Sequence, residues 1–293
     1  VLNDNVQHKD EEWFSTKESC VEYLKKRKEV FWGGIEKCLN FLPSECLTTD
    51  QRYVIVVPFY NVEKYIGRCI DSIKRQKHEN YKCILIDDMS SDSSVSLIKN
   101  LTAGDQRFCL IENTEKKYAL GNIHDALKGC DSSPDDVVIL LDGDDWFSCS
   151  ETLNRLNAAY DTGAMVTYGS YMMYPHGIIG VEPSQYPSKV VSENLYREDA
   201  WRASHLRTFK HSLWDKINED DLKDDNGSFY TVAYDQAIML PLLEMAGAKA
   251  VYLPDILHIY NKENPLNVDK IKTEQQKNTA LEIRRKPKYE RVV

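Results

Sequence analysis

Short apolar runs that end in polar residues dominate the first half of this sequence. The runs YVIVVPFYN, KCILIDD, FCLIEN and DVVILLDGDD begin at Tyr53, Lys82, Phe108 and Asp136. Runs this short, rich in β-branched residues and apolar on both faces, are typical of buried parallel strands. We therefore predict four strands of a mainly parallel central sheet.

Helices are predicted between these strands. Tyr65, Ile66, Cys69, Ile70 and Ile73 recur at helical spacing after the first run, which indicates one apolar helix face. SSDSSVSLIKNL begins with residues that favour a helix N-terminus, and GNIHDALKGC has a helical pattern. Alternating strands and helices predict an α/β domain.

The two ends of the chain and its second half follow other patterns. ETLNRLNAAYDTG predicts a helix, AMVTYGSYMMY a strand, and YDQAIMLPLLEMAGAKAVYLPDILHIYN a helix followed by strands. In the first fifty residues, Ser15 with Glu18 forms a capping-box pattern ahead of helically spaced apolar residues. We expect an N-terminal helical extension there.

Composition excludes several classes of protein. A net charge of −9 argues against a general nucleic-acid binder, which needs clustered Lys and Arg. The eight cysteines are spread singly, as in a reduced protein. No apolar run approaches the ~20 residues of a transmembrane helix, so we expect a cytoplasmic protein. The basic end EIRRKPKYERVV is expected to be a solvated tail, with weak membrane contact as the alternative.

The fourth run carries the most informative chemistry. It ends in Asp142, Gly143, Asp144 and Asp145, and ligands of such sheets bind beyond the carboxyl ends of the strands. Acids also cap helices, but one acid suffices for that. Clustered carboxylates with no accompanying thiolate or imidazole pair favour Mn²⁺ or Mg²⁺ over Zn²⁺. The bulky WF pair that follows does not fit a calcium-binding EF-hand loop.

Several motifs together resemble a known family. VVPFYN, ILIDDMSSDSS and LLDGDDWF resemble, in order and spacing, the nucleotide-sugar half of inverting family-2 glycosyltransferases of the GT-A fold. TYGSYM, LRTFKHSLWDKI, YDQAIMLPLLEMAG and ILHIYNKENPLN resemble the acceptor half, so the likeness extends from Tyr53 to Asp269. It implies a nucleotide-sugar-binding half at 51–150 and an acceptor-binding half at 151–270. The helical extension at 1–50 and the basic tail at 271–293 fall outside these halves.

The resemblance implies roles for the residues at the first two strand ends. Tyr60 would stack on the base of a uridine or related nucleotide, and Pro58 and Asn61 would shape that loop. Asp88 would accept a hydrogen bond from the base, and Asp87 would support the ribose side.

The same resemblance implies the metal and diphosphate site. Asp144 and Asp145 would lie at the metal and diphosphate, supported from the strand end by Asp142, with Gly143 letting the backbone approach the ligand. His258 is a candidate third metal ligand, but a single His in an apolar run is more often a packed residue.

The catalytic group implied by the family is Asp235. It would act as the general base that takes the acceptor proton, and its alternative role is that of a helix N-cap. The sequence departs from the family pattern at Met89, usually Gly, and at Tyr234, usually Glu. Gly121 stands where many members have Arg, so a diphosphate contact is either missing or supplied by Lys116 or Lys117.

These inferences predict a function and two alternatives. We expect inverting, metal-dependent transfer of a sugar from a nucleotide diphosphate, most simply a UDP-sugar, to a hydroxyl of a glycan, lipid or protein. The enzymatic alternative is a phosphatase of the haloacid-dehalogenase type with Asp142 as nucleophile. The other is a sugar-nucleotide binding module without turnover, which the unusual Tyr234 keeps open. Residues offered for sugar stacking or for an acidic acceptor, each with an equally good structural role, are Trp146, Trp214, Arg197, Arg202, Arg207 and Lys210.

Overall fold

The computed structural model describes residues 49–267 and 273–292, so nearly all of the predicted N-terminal extension lies outside the described residues. Nine strands occur within these ranges: β1 Tyr53–Phe59, β2 Tyr81–Asp87, β3 Phe108–Glu112, β4 Val137–Leu140, β5 Trp146–Phe147, β6 Val166–Tyr174, β7 Ile178–Ile179, β8 Arg207–Lys210 and β9 Ala250–Asn261. The helices of the same ranges are α1 Ile66–Lys74, α2 Ser94–Leu101, α3 Tyr118–Gly129, α4 Thr152–Asp161, α5 Ser188–Ser192, α6 His211–Trp214, α7 Tyr234–Ala246 and α8 Thr273–Arg285.

All these strands belong to one sheet with the order β3-β2-β1-β4-β8-β6-β9-β5, and β7 pairs with β6. The first four predicted strands pair in parallel, β1 with β2 and β4, and β2 with β3. Phe59 pairs with Asp87, and Asp87 pairs with Glu112, so these three strands end level. The polar residues that follow β1 and β2 therefore meet at one edge, as the sequence predicted.

The second half of the chain extends this sheet. β8 runs antiparallel to both β4 and β6, and it pairs Arg207 with Leu140. β9 runs parallel to β6 and antiparallel to β5, where His258 pairs with Phe147. These pairings bring Arg207 and the end of β9 to the acidic loop after β4, although they are far from it in sequence.

Two apolar cores cover the two faces of the sheet. Val54 and Val56 of β1 face one core, and Ile55 and Val57 face the other, because successive side chains of a strand point to opposite faces. Helices α3 and α7 pack in the first core, and α1 and α4 pack in the second. The α/β class with flanking helices is confirmed.

The basic C-terminal segment is part of the folded structure. Arg284 donates hydrogen bonds to the carbonyls of Arg197 and Asp199 at 2.8 Å. Lys286 donates to the carbonyls of Asp220 and Lys223 at 2.9 Å. This segment is thus docked on the fold and is not simply solvated. None of the described helices has the length and apolar character that a bilayer crossing requires.

Candidate active site

The loop after β4 lies directly against the end of β1. The Gly143 amide donates to the Pro58 carbonyl at 3.2 Å. A Cβ placed on Gly143 would lie 2.5 Å from the Cβ of Phe59, closer than any side chain tolerates. We expected this glycine to let the backbone approach a ligand. In the structure it lets the acidic loop approach β1, which carries the polar residues of the predicted base site.

Asp88 is the centre of a hydrogen-bonded pocket beyond β2. Its Oδ1 accepts from the amides of Lys117 at 2.8 Å and Tyr118 at 3.1 Å, and from Nδ2 of Asn122 at 3.1 Å. The side chain is 5% exposed. Asn122 was not singled out from the sequence, because a single polar residue on an amphipathic helix gives no signal.

Two exposed tyrosines stand at this pocket with a lysine between them. Tyr60 is 39% exposed and Tyr118 is 43% exposed. The Lys116 ammonium lies 3.3 Å from the Tyr60 ring centroid and 5.7 Å from that of Tyr118. It is also 4.0 Å from Oδ2 of Asp88. Of the two candidate lysines, Lys116 therefore lies at the predicted base site.

The other residues that we expected at the nucleotide-sugar site make contacts with neighbouring loops and helices. The Lys117 ammonium pairs with Asp125 at 2.8 Å. Asn61 accepts from the Ser91 amide at 2.8 Å, and Asp87 accepts from the Ser90 amide at 2.9 Å. In the described structure Asn61 and Asp87 fix the turns after β1 and β2, beside the pocket of Asp88.

The three acids after β4 have different surroundings. Asp142 and Asp144 are partly exposed, and Asp145 is fully buried. Asp144 accepts from Nδ2 of Asn264 at 2.7 Å, and burial together with Asp145 and Asp142 raises the pKa of Asp144. The next helix begins at Thr152, so these acids do not cap it.

Asp145 is buried and contacts residues of β9. Its Oδ2 lies 2.8 Å from Nε2 of His258, and its Oδ1 accepts from the Asn261 amide at 2.8 Å. Burial raises the pKa of Asp145 and lowers that of His258 to about 3. Asp145 and His258 thus form a buried pair beneath the two partly exposed acids.

His205 lies beside this pair, and ligand atoms of Asp145, His205 and His258 fall within 4.8 Å of one another. The two imidazole rings are stacked, with centroids 4.2 Å apart and planes inclined by 18°. A metal ion lies in the plane of each ligating imidazole at about 2.0–2.1 Å from nitrogen. Two stacked rings cannot both meet that condition for one ion, so we interpret this cluster as a supporting network.

Asp235 lies in the first turn of α7, and the residue at the N-cap position is Ala233, whose φ is +50°. The helix-cap alternative for Asp235 is therefore wrong. Its Oδ2 is 3.4 Å from Nη2 of Arg207. Arg207 also lies 3.3 Å from Nε2 of His205, whose pKa is lowered by burial, so a neutral imidazole accepts this contact.

The neighbouring residue connects this carboxylate to the acidic loop. The Tyr234 hydroxyl donates to Oδ1 of Asp142 at 2.9 Å. Burial, followed by the charge of Asp142, raises the pKa of Tyr234, so the phenol remains protonated as a donor. This contact joins the start of α7 to the loop after β4.

A family comparison agrees with this arrangement. A model described as "Glycosyl transferase family 2" matches residues 54–220, more than half of the chain. The chain belongs to glycosyl transferase family 2. The phosphatase alternative is set aside by this membership. The matched segment contains nearly all of β1, the strands β2 to β8, the acidic loop and Arg207, whereas Asp235 and β9 follow it.

Curated relatives resemble this chain at lower identity. It is 27% identical over 229 residues to Glycosyltransferase GlyA of Streptococcus pneumoniae, covering 73% of this chain and 31% of GlyA. It is 29% identical over 148 residues to the Escherichia coli UDP-Glc:alpha-D-GlcNAc-diphosphoundecaprenol beta-1,3-glucosyltransferase WfgD, covering 50% of this chain and 56% of WfgD. The chain spans between 31% and 46% of the length of three curated relatives that it matches.

Solved structures confirm the GT-A fold. The chain superposes on Staphylococcus aureus TarS in complex with UDP-GlcNAc with a TM-score of 0.55 and 16% identity, covering 73% of this chain and 59% of TarS. It also superposes on the mannosyltransferase PcManGT of Pyrobaculum calidifontis, whose structure is in complex with GDP-Man and Mn²⁺. The TM-score is 0.51 and the identity is 18%, and the match covers 86% of this chain and 70% of PcManGT. At these identities the likeness establishes the fold alone.

Most of the remaining candidate residues are buried or paired with other residues. Trp146 and Trp214 are 3% and 7% exposed, so both pack in the interior and offer no face to a sugar. Arg197 forms a buried pair with Glu244 at 2.6 Å. Among the basic residues offered for an acidic ligand, Arg207 is the one that contacts Asp235.

Proposed function

We propose that this glycosyltransferase transfers a sugar from a uridine diphosphate sugar to an acceptor hydroxyl of a glycan, lipid or protein, with inversion and with a divalent cation. The observation that carries the proposal is the Tyr234–Asp142 hydrogen bond of 2.9 Å. It joins the first turn of α7, which contains Asp235, to the acidic loop that follows β4. Further support for Asp235 as the base comes from Arg207, which lies 3.4 Å from Asp235 and pairs with Leu140 of β4. A base and a cation-binding loop at one sheet edge are what a displacement between a hydroxyl and a diphosphate requires.

The donor would bind across the ends of β1 and β2. We assign base stacking to Tyr60, whose ring is exposed, and base hydrogen bonding to Asp88, which is held rigidly by three donors. Pro58, Asn61 and Asp87 shape this end of the site. WfgD, which is 29% identical to this chain over 148 residues, is named for a UDP-Glc donor, and this supports the choice of a uridine nucleotide.

The acidic loop fits a hard divalent cation. The partly exposed carboxylates of Asp142 and Asp144 supply oxygen ligands, and the pKa of Asp144 is raised in a way that a cation would reverse. We assign Asp145 and His258 to support beneath them, because each contacts the other. When bound, Mn²⁺ or Mg²⁺ supplies positive charge for the leaving diphosphate.

The chain's own residues would complete a single displacement. The Asp235 carboxylate takes the proton of the acceptor hydroxyl while that oxygen forms a bond to the anomeric carbon of the donor. The bond between this carbon and the diphosphate oxygen breaks, and the nucleoside diphosphate leaves with the electron pair. Attack from the face opposite the leaving group inverts the anomeric centre. Arg207, 3.4 Å from Asp235, orients the base.

A donor screen tests this function. The purified protein is incubated with Mn²⁺ or Mg²⁺ and a panel of UDP- and GDP-sugars, and slow hydrolysis is followed by release of nucleoside diphosphate. We expect metal-dependent release from a UDP-sugar. The Asp235→Asn variant should lose about 10²–10⁴-fold in rate and should still bind donor. Failure of the metal-loaded wild type to bind any nucleoside diphosphate would overturn the proposal, and binding without turnover in every assay would support a binding module instead.

A further inference from the structure

The position of the Lys116 ammonium points to a role that extends the proposed function. This ammonium lies over the face of the Tyr60 ring, 3.3 Å from its centroid, where a base would stack. It is also 4.0 Å from Oδ2 of Asp88. The side chain is 37% exposed, so it can leave the ring without unpacking the core. A base that stacks on Tyr60 must displace it.

The two carboxylate oxygens of Asp88 differ in their capacity for a ligand. Oδ1 already accepts three hydrogen bonds, from Lys117, Tyr118 and Asn122. Oδ2 accepts the Tyr118 amide at 3.2 Å, and a carboxylate oxygen has room for a second donor. Asp88 can therefore serve one N–H of a base well, and it cannot serve two adjacent N–H groups with its two oxygens.

This asymmetry distinguishes bases by their hydrogen-bonding edges. Uracil presents one N–H between two carbonyl oxygens, whereas guanine presents two adjacent N–H donors beside one carbonyl. An N–H bound to Oδ2 of Asp88 brings a flanking carbonyl oxygen next to the ammonium of Lys116. One free acceptor beside one cation thus matches an imide edge. Guanine also has an N–H beside a carbonyl, but its second N–H donor is left without an acceptor on Asp88, which costs binding free energy. We therefore expect guanine not to dock this edge against Asp88 and Lys116.

We propose that Lys116 is a specificity-determining residue of the donor site. In the free protein its ammonium covers Tyr60, and in the complex it donates a hydrogen bond to an imide carbonyl of uracil while Asp88 accepts the imide N–H. This inference rests on the proposed nucleotide-sugar function. It assigns Lys116 to the base rather than to the diphosphate, where the family resemblance left it as one of two candidates.

Binding of UDP and GDP to wild-type and variant proteins tests the assignment, measured by isothermal titration with Mg²⁺ present. Wild type is expected to prefer UDP. In Lys116→Met, UDP affinity should fall about tenfold, which corresponds to ~1.4 kcal/mol, while GDP affinity changes by less than about threefold. Lys116→Arg should retain most of the UDP preference, because it keeps a cationic donor. Thermal unfolding of each variant confirms that it folds.

Two other lysines provide comparisons. Lys82 lies at the start of β2, at the opposite end of the strand from Asp88, and its ammonium donates to the Gln106 carbonyl at 2.8 Å. Lys82→Met therefore removes the same charge without touching the pocket and should leave the UDP to GDP ratio unchanged. Lys117→Met should change the ratio less than Lys116→Met, because the Lys117 ammonium pairs with Asp125.

The outcomes separate this inference from the function on which it rests. Equal losses for UDP and GDP in Lys116→Met would place the ammonium at the diphosphate and overturn the inference, as would an unchanged UDP affinity or a wild type that prefers GDP. The first two results leave sugar transfer from a uridine nucleotide donor intact, whereas a preference for GDP would leave transfer from a nucleotide donor intact and change its base. Absence of all nucleoside diphosphate binding in wild type would overturn both.

Discussion

The Tyr234 hydroxyl donates a hydrogen bond of 2.9 Å to the Asp142 carboxylate. This contact joins two segments separated by 92 positions in sequence, the loop after β4 and the first turn of α7. The family pattern usually has Glu at the position of Tyr234. A protonated phenol adds no negative charge to a loop that already contains three acids, so it can bind Asp142 where a second carboxylate would repel it.

Removal of this hydroxyl tests whether it positions the acidic loop. We expect Tyr234→Phe to lower kcat for donor hydrolysis or transfer by about 10-fold or more, because a hydrogen bond to a charged group contributes ~1.5–3 kcal/mol. The Mn²⁺ concentration that gives the half-maximal rate should rise. Initial rates across a metal titration provide both numbers.

Tyr230→Phe is the matched control for that variant. The Tyr230 hydroxyl bonds Glu282 at 2.7 Å, away from the acidic loop. This control should alter stability without shifting the metal dependence. An unchanged metal curve and kcat in Tyr234→Phe would show that the contact does not position the loop.

Asn264 is a second residue predicted to tune the acidic loop. Its amide donates to Asp144 at 2.7 Å, so Asn264→Ala should loosen this carboxylate and raise the half-saturating metal concentration about tenfold. Asn267→Ala is the comparison, because Asn267 bonds the Asn261 carbonyl at 2.7 Å and contacts no acid in the described structure. Equal effects of the two substitutions on the metal titration would argue for a general loop effect instead.

Met89 is predicted to be a site of backbone strain. Its φ is +66°, a left-handed conformation that costs a non-glycine residue about 1–2 kcal/mol. Met89→Gly should raise the free energy of unfolding by ~0.5–1 kcal/mol after the flexibility of glycine is counted. Urea unfolding measures the change.

Met89→Ala separates the backbone effect from loss of the side chain. The Met89 side chain is 46% exposed, so its removal alone should change stability by less than about 0.5 kcal/mol. Stabilisation by Ala as large as that by Gly would contradict the strain explanation.

His205 is predicted to make the protein less stable as the pH decreases. Burial, followed by the charges of Arg207, His258 and Lys262, lowers the pKa of His205 well below 6.5. Below pH 6.5 the unfolded chain binds a proton that the folded protein does not, so acidification favours unfolding by about 1.4 kcal/mol per pH unit. Above pH 6.5 His205 makes no contribution to the pH dependence of stability.

The measurement compares wild type with His205→Gln, since Gln cannot titrate and still offers an acceptor to Arg207. Unfolding free energies between pH 7.5 and 5 should fall more steeply for wild type, by up to one proton's slope. Parallel curves for the two proteins would mean that folding does not change the pKa of His205.

Much of the fold could be read from local sequence patterns. The apolar runs at β1, β2, β3 and β4, and the helical spacing of Ile66, Cys69, Ile70 and Ile73, correspond to elements of the structure. These patterns succeed because a strand or helix that faces a core must repeat its apolar residues with its own period. The parallel arrangement also predicted that the polar residues after β1, β2 and β4 share one sheet edge.

The partners of those polar residues depended on tertiary structure. The sequence could not decide between Lys116 and Lys117, because adjacent residues project in different directions and the loop conformation selects the one over Tyr60. Asn264 and Tyr234 reach the acidic loop by contacts spanning 120 and 92 positions. Such contacts leave no local pattern.

The sequence by itself determined the element types, the sheet edge at which the polar residues gather and the acidic character of the loop after β4. The tertiary structure decided which acid is exposed. Asp145 is buried because β9 pairs with β5 and brings His258 and the Asn261 amide onto its carboxylate, while Asp144 remains partly open. Secondary structure follows from the periodicity of apolar residues along the chain. The burial and the hydrogen-bond partners of the acids follow from strands that become neighbours only when the sheet forms.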